Sequence, residues 1–533
     1  MPCKEKSRPP RYVYIPYFGT TKRYPQTLAT TTNAMTTTEK PFVVSFLSIL
    51  LSLSILFSES AETVGTGSFL WFSDLHLDPY YGQSGAVEDS SVIAPNSTVT
   101  CSSSDAPLRG MWGCDSPLTL VQSAVAEAAD LAPNPDFVLI TGDFARHAVE
   151  KTPEPMATLV DVHGGALGAL NDALSEGTPV ILCLGNNDLI SDYYLDLSAP
   201  DNPVLAATAD SYGAIGTFES DEEESTFRSG GYYGRDVAGK VTILALNTVI
   251  YSQRHEPAEQ NLLEDPAGQF AWMEIRLSEA RSNGRTVIIS GHIPPTIGSY
   301  RKAQYWNRRH LDPYFALLDR YEDVVVAQLF GHLHTDEFRV FPSQGDGGAP
   351  LLIAPSVSPI FGGNPCFRVV RHDRGSILDY SARYLDLGAS SAISASAWRE
   401  LYSFQKAYGV DSVSVLNLRK LLANIDNPDD PTTFEQFLFY YRTGVETMEC
   451  EEECRRDWVC VLQSQTEQAY KKCLRWGWSD SLYIVVAASG ALISVVSVAL
   501  CCFYLRHKRR RQYEEVESRK ASEYNIEPTT DIS

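Results

Sequence analysis

Short apolar runs recur along the middle of the chain, and each stops at a polar cluster. Ser68-Phe69-Leu70-Trp71-Phe72 ends in Ser73-Asp74-Leu75-His76, and Phe137-Val138-Leu139-Ile140 ends in Thr141-Gly142-Asp143. Val180-Ile181-Leu182-Cys183-Leu184 ends in Gly185-Asn186-Asn187-Asp188, and Val287-Ile288-Ile289 ends in Ser290-Gly291-His292. Val324-Val325-Val326-Ala327 leads to Phe330-Gly331-His332-Leu333-His334. Amphipathic stretches such as Leu118 to Leu131 fall between these runs. Alternation of this kind predicts an α/β protein whose ligands gather at the carboxyl ends of its strands.

Two apolar segments are of another kind. Pro41 to Phe57 has signal-peptide length, with Lys40 before it and the small, polar Ser58-Glu59-Ser60-Ala61-Glu62 after it. The expected working start is Met35, with residues 1–34 a disordered leader or a mis-called extension and 35–60 a signal peptide. Leu482 to Leu505 is long enough to span a bilayer, and Arg506-His507-Lys508-Arg509-Arg510-Arg511 follows it at once. The positive-inside rule then predicts a single-pass type I membrane protein, its body lumenal or extracellular (lysosome, vacuole or cell surface), with residues 506–533 as a disordered cytosolic tail.

Eight of the eleven cysteines lie between the two apolar segments. In an oxidising compartment Cys101 with Cys114, and the cluster Cys450, Cys454, Cys460 and Cys473, read as disulfides, a four-thiolate zinc site being the alternative for the cluster. Cys183, inside an apolar run, reads as a buried thiol. Asn96-Ser97-Thr98 is a glycosylation sequon in a polar loop. The formal charge of −22 argues against a nucleic-acid partner held by diffuse basic charge, while leaving room for a local basic pocket. Past Leu385, Ala397 to Tyr408, Val413 to Ala423 and Thr433 to Tyr441 read as helices of a small C-terminal domain over 386–480.

The residue types at the tips carry the chemistry. Asp, His, Asp, Asn, His, His and His form the imidazole-and-oxygen mixture that hard and borderline divalent metals take. A glycine before the ligand lets the backbone turn sharply beside the ion. Asp74-X-His76, Gly142-Asp143, Gly185-Asn186, Gly291-His292 and Gly331-His332-X-His334 resemble the five blocks of the calcineurin-like metallophosphoesterases, over about residues 66–385. The stretches "DLHLDPYY", "CDSPLTLVQSA", "TGDFARH" and "GHLHTDEFRV" resemble, more narrowly, the acid sphingomyelinase-like phosphodiesterases.

That resemblance implies a metallophosphoesterase β-sandwich flanked by helices, a C-terminal helical domain stapled by Cys450–Cys454 and Cys460–Cys473, and the membrane helix. It implies two divalent ions, zinc being the expected identity: Asp74, His76 and His334 at one, Asn186, His292 and His332 at the other, and Asp143 between them. Phosphodiester or phosphoanhydride bonds, in a sphingomyelin-type lipid or a nucleotide, would then be cleaved by a hydroxide held between the ions. Most of the superfamily has His where this chain has Asn187, which donates a hydrogen bond but cannot titrate; the sphingomyelinase-like group has a His four residues after the Gly-Asp, so the resemblance implies His147 as the leaving-group acid, with Asn187 beside it in the catalytic set. Asp188 reads as a supporting carboxylate or turn cap. "GNND" also occurs in endopolyphosphatases, but Glu219 to Glu224, read as an acidic loop, speaks against a polyanion groove. A catalytically inactive receptor-like scaffold is the reading from another class.

Overall fold

The computed structural model describes residues 66–93, 99–198, 201–342, 344–388, 398–445, 450 and 452–523; the side chains of 476–496 and 517–523 are not among those described. The expected leader, signal peptide and Asn96 sequon lie outside the described residues.

Twelve described strands form two six-stranded mixed sheets. The first runs β12 (Arg399–Ser403), β11 (Ser376–Tyr384), β10 (Cys366–Asp373), β1 (Thr66–Phe72), β2 (Phe137–Ile140), β3 (Val180–Leu182). The second runs β4 (Tyr233–Val237), β5 (Val241–Ala245), β6 (Thr286–Ser290), β7 (Val325–Phe330), β9 (Leu351–Ile353), β8 (Glu337–Arg339). Strands β1, β2 and β3 pair in parallel, as do β5, β6, β7 and β9. Parallel strands need covered faces, which explains the near-continuous apolar runs: all four residues of β2 are buried. The helix Leu118–Leu131 occupies the predicted residues and buries Leu120, Val121, Ala124, Val125 and Ala128.

A buried polar knot ties the two sheets. Arg368 on β10 donates to Asp336, which follows β7, at 2.5 Å, and Tyr402 on β12 donates to the same carboxylate at 2.8 Å. The guanidinium lies 4.8 Å from the Trp71 ring and 4.2 Å from that of Tyr380. Removing one partner of such a pair leaves a buried charge uncompensated, at a cost of about 3–5 kcal/mol.

Three expectations change. Ala397 to Tyr408 is not one helix but β12 followed by the short helix Phe404–Tyr408, because the segment pairs with β11 from Ser381 to Tyr384. The acidic run is not a loop. Ser220 caps Glu223 N–H, and Asp221 to Glu224 form the first turn of the helix Asp221–Gly230, where negative charge favours the dipole. Residues 506–523, expected to lack structure, continue the final helix Glu467–Glu523, with Arg510 and Glu514 paired one turn apart at 3.2 Å. The helices Val415–Asp426 and Pro431–Tyr441 fall close to the expected places.

Among the described residues no helix is long and apolar enough to cross a membrane. The expected span, Leu482 to Leu505, falls mostly on positions of the final helix whose side chains lie outside the described residues. Cys101–Cys114, Cys450–Cys454 and Cys460–Cys473 are bonded, and Cys183 is a buried free thiol, as expected.

Candidate metal centre

The carboxyl ends of β1, β2 and β3 from one sheet meet those of β6 and β7 from the other, and seven side chains converge at that seam. Asp74, His76, Asp143, His332 and His334 all sit at positive φ, between 39° and 74°. Such backbone is unfavourable for residues with a Cβ, and clusters of it mark sites whose geometry the fold enforces. Two glycines make the approach possible. A Cβ on Gly185 would fall 2.1 Å from Asp143 Oδ1, and one on Gly331 would fall 2.0 Å from Ser73 Oγ.

Hydrogen bonds aim the lone pairs inward. His76 Nδ1 faces Ala145 O at 2.9 Å and His292 Nδ1 faces Thr141 O at 2.7 Å, which fixes a proton on Nδ1 and turns each Nε2 toward the site. Asn186 donates its amide to Asp192 Oδ1 at 2.8 Å, so its oxygen points at the site. Asp74 Oδ2 accepts from His332 N–H at 3.0 Å and from Ser73, whereas Asp74 Oδ1 is buried without a partner.

Two groups result. In one, His334 Nε2 lies 3.1 Å from His76 Nε2 and 3.3 Å from Asp74 Oδ1. In the other, His292 Nε2 lies 3.1 Å from Asn186 Oδ1, 3.2 Å from His332 Nδ1 and 3.2 Å from Asp143 Oδ2. Asp143 Oδ2 is also 3.5 Å from His76 Nε2, so this carboxylate stands between the groups.

The electrostatics match a cation. Burial pushes both carboxyls up, yet the surrounding imidazoles hold Asp74 and Asp143 well below the usual range. Burial likewise disfavours charge on His76 and His292, but the carboxylates lift both to about 9. Burial and like neighbours push His332 and His334 down to about 3. The site therefore draws positive charge toward its carboxylates while the acceptor atoms of Asn186, His332 and His334 face one another. Divalent ions meet both demands, and the donor set suits them.

Asp188 is the predicted support. Its oxygens accept from the backbone N–H groups of Asp143, Phe144, Ala145 and Gly185 at 2.7 to 3.1 Å, tying the β2 tip to the β3 tip. Asn187 holds Asp143 from the other side, N–H to Oδ1 and amide to Oδ2, both at 2.8 Å.

His147 stands at the rim, its ring stacked on His76 at 4.1 Å and 16°. A nitrogen of His147 comes within 4.8 Å of those of His76 and His334, close enough to be counted with them as a ligand. The buried Asp74 Oδ1, 3.3 Å from His334 Nε2 and without a hydrogen bond, completes that group, whereas the His147 side chain is 27% exposed at its edge. Asp115 carries His147 instead: its Oδ1 meets His147 Nδ1 at 2.9 Å and its Oδ2 accepts His147 N–H at 2.8 Å. Burial pushes Asp115 up, but the charge and hydrogen bonds of His147 bring it below its ordinary value. Sequence reasoning passed over Asp115, although it stands in the quoted "CDSPLTLVQSA"; the disulfide at Cys114 was the signal that this loop is fixed. It also passed over Tyr193, whose hydroxyl meets His332 Nε2 at 3.2 Å, and Arg254, 4.0 Å above the Tyr193 ring.

Residues 67–336 match the family model for calcineurin-like phosphoesterases, and residues 354–479 match that for the acid sphingomyelin phosphodiesterase C-terminal region. The chain is 29% identical to the acid sphingomyelinase-like phosphodiesterase 3b of Homo sapiens, over 76% of this chain and 90% of that protein. It is 30% identical to the sphingomyelinase phosphodiesterase D of Dictyostelium discoideum, over 57% and 68%. It is 26% identical to the cyclic GMP-AMP phosphodiesterase SMPDL3A of Mus musculus, over 79% and 95%.

Proposed function

The chain belongs to the calcineurin-like phosphoesterase family, and on that premise we propose that it is a metal-dependent phosphodiesterase acting on phosphodiester or phosphoanhydride bonds. The observation that carries this reading is Asp143 Oδ2, set 3.2 Å from His292 Nε2 and 3.5 Å from His76 Nε2, a carboxylate shared by two convergent ligand groups. Asp74, His76 and His334 would hold one divalent ion, Asn186, His292 and His332 the other, and Asp143 both. Such ions supply Lewis acidity toward phosphoryl oxygens and a water acidic enough to act as nucleophile.

The chain's own residues do the rest. Asp188 and Asn187 fix the bridging carboxylate. Asp115 holds His147 by Nδ1, which leaves Nε2 to carry a proton to the departing oxygen. The relatives' names point to sphingomyelin-type and cyclic dinucleotide substrates, so both a choline phospholipid and a nucleotide belong in the assay. For the whole chain we propose a single-pass topology with the body lumenal and the residues after Arg506 cytosolic, supported by three disulfides in the body and the basic run after the apolar segment.

The test is His147→Ala against two esters. Loss of about 10²- to 10⁴-fold is expected on alkyl phosphodiesters, whose alkoxide needs a proton. Much less is expected on bis(p-nitrophenyl) phosphate, with bound metal unchanged. Equal loss on both, or loss of metal, would show that His147 is a ligand or a positioning group instead.

A further inference from the structure

The two ligand groups are aimed by different means. In the first, backbone does much of the aiming: His76 Nδ1 faces Ala145 O at 2.9 Å, and Asp74 Oδ2 accepts from His332 N–H at 3.0 Å. In the second, Asn186 and His332 are aimed by side chains. Asn186 gives its amide to Asp192 Oδ1 at 2.8 Å. His332 turns Nδ1 to the group, 3.2 Å from His292 Nε2, while its Nε2 meets the Tyr193 hydroxyl at 3.2 Å. Asp192 and Tyr193 are consecutive, so one dipeptide serves both ligands. Arg254 closes the figure, donating to Asp192 Oδ2 at 3.2 Å and lying over the Tyr193 ring at 4.0 Å. The contacts run in a ring from Asn186 through Asp192, Arg254 and Tyr193 to His332.

The backbone of this dipeptide is constrained. Tyr193 sits at φ 64°, unfavourable for a residue with a Cβ, and its side chain is buried. Its neighbour Tyr194 is exposed, so the turn serves to bring Tyr193 inward. A bridge to the Arg254 loop holds the turn: Glu256 N–H donates to Tyr193 O at 3.0 Å, and Leu195 N–H donates to Glu256 O at 2.8 Å. His255, next to Arg254, adds its Nε2 to Leu195 O at 2.9 Å. The two arms of the ring are thus fastened to each other by backbone as well as by charge.

We infer that Asp192, Tyr193 and Arg254 are positioning residues, a closed brace that sets how tightly the second ligand group holds its ion and leaves the first group alone. The inference rests on the two-ion reading above and goes beyond it. A ligand imidazole is pinned by the partner of its other nitrogen, and such partners tune metal affinity. With Nδ1 at the ligand group, His332 Nε2 carries the hydrogen and the Tyr193 oxygen accepts it. The guanidinium fixes the plane of that phenol by stacking and fixes Asp192 by charge, so one cation orients the supports of two ligands at once.

The experiment counts zinc on the full chain in detergent, equilibrated over a series of buffered free-zinc concentrations and read by elemental analysis. Tyr193→Phe removes only the hydroxyl. Arg254→Gln changes a side chain that is 64% exposed and so opens no cavity in the core. Each is expected to weaken one ion by about 10- to 100-fold, the scale for a lost supporting partner, with the other ion within about twofold of the wild type. Arg254→Lys should recover part of the loss. The double variant should lose less than the product of the two single effects, because the first cut already opens the ring. Turnover of bis(p-nitrophenyl) phosphate by either single variant should return as free zinc is raised, which a general loss of structure would not allow. Equal weakening of both ions, or a double variant showing the full product, would overturn the closed brace. A wild type that holds two zinc ions, with variants that hold both as tightly, refutes this inference alone; a wild type that never holds a second ion overturns the two-ion reading with it.

Discussion

His163 should make the protein acid-sensitive, and replacing it should remove a measurable share of that sensitivity. The residue lies on the helix Pro155–Ala173, fully buried, edge-on to Phe144 at 5.8 Å and to Tyr212 at 5.6 Å. Neither ring nitrogen has a hydrogen-bond partner, and burial lowers its pKa from 6.5 to about 4. The unfolded chain therefore takes up a proton below pH 6.5 that the folded chain refuses. Stability is unaffected above that pH, falls as pH drops through the window from 6.5 to about 4, and levels off below. Each pH unit inside the window costs about 1.4 kcal/mol, so about 2 kcal/mol is gone by pH 5. His163→Leu keeps an apolar side chain of similar size and removes the titration. His255 and His310, also lowered by burial, titrate in both proteins and cancel in the comparison. Scanning calorimetry at pH 7.5 and pH 5.0, at one ionic strength, should show the wild type losing about 4 °C more than the variant, taking roughly 2 °C per kcal/mol for a domain of this size. Parallel losses would mean that His163 is protonated in the native state after all, and that a buried acceptor or water serves it.

Asp143→Asn should abolish turnover and lower bound metal more than any one terminal-ligand variant, since its Oδ2 faces both ligand groups; normal zinc by elemental analysis with near-normal turnover would refute the shared assignment. Asp115→Asn should act through His147 alone. It removes the charge at Nδ1, so the loss should be on the order of tenfold or more for alkyl diesters, with a shifted pH profile, unchanged metal and little effect on nitrophenyl esters. A pH profile identical to the wild type would make Asp115 a purely structural partner.

What could be read from the chain was whatever the local pattern encodes. The five tips were legible because each puts ligand types after an apolar run; β1 and β2 end where their runs end, and β3, β6 and β7 end within about three residues of theirs. Helix Leu118–Leu131 was legible from its periodicity. What distant contacts decide was not. Arg399 to Ser403 is a strand only because β11 offers an edge. Asp115 gains its role from a residue 32 positions away, and Arg254 from Asp192, 62 positions away. The acidic run was misread for a different reason. Charge density suggested a solvated loop, but Ser220 followed by four acids is also a helix start, and a cap decides it.

Asn187 stands where the superfamily that the chain resembles usually has an imidazole, and its bonds show what the amide does there. At this position the chain supplies two donors to one carboxylate, the backbone N–H to Asp143 Oδ1 and the amide to Oδ2, each at 2.8 Å. An amide keeps both bonds at any pH, and that steadies the carboxylate on which the two ligand groups depend. His147 meanwhile stacks on the His76 ring, with Asp115 holding its Nδ1. Putting His at 187 does not simply restore an acid. Its ring would sit against Asp143, the same carboxylate that raises His292 to about 9, and would hold its proton there rather than release it. Asn187→His in the His147→Ala background is therefore expected to leave the rate on alkyl diesters within about threefold of the single variant. A proton donor that works contributes about 10²-fold or more. Rescue on that scale, seen with alkyl but not nitrophenyl esters, would show that the side chain at 187 reaches the leaving oxygen, and that its bonds to Asp143 are not what the position is for.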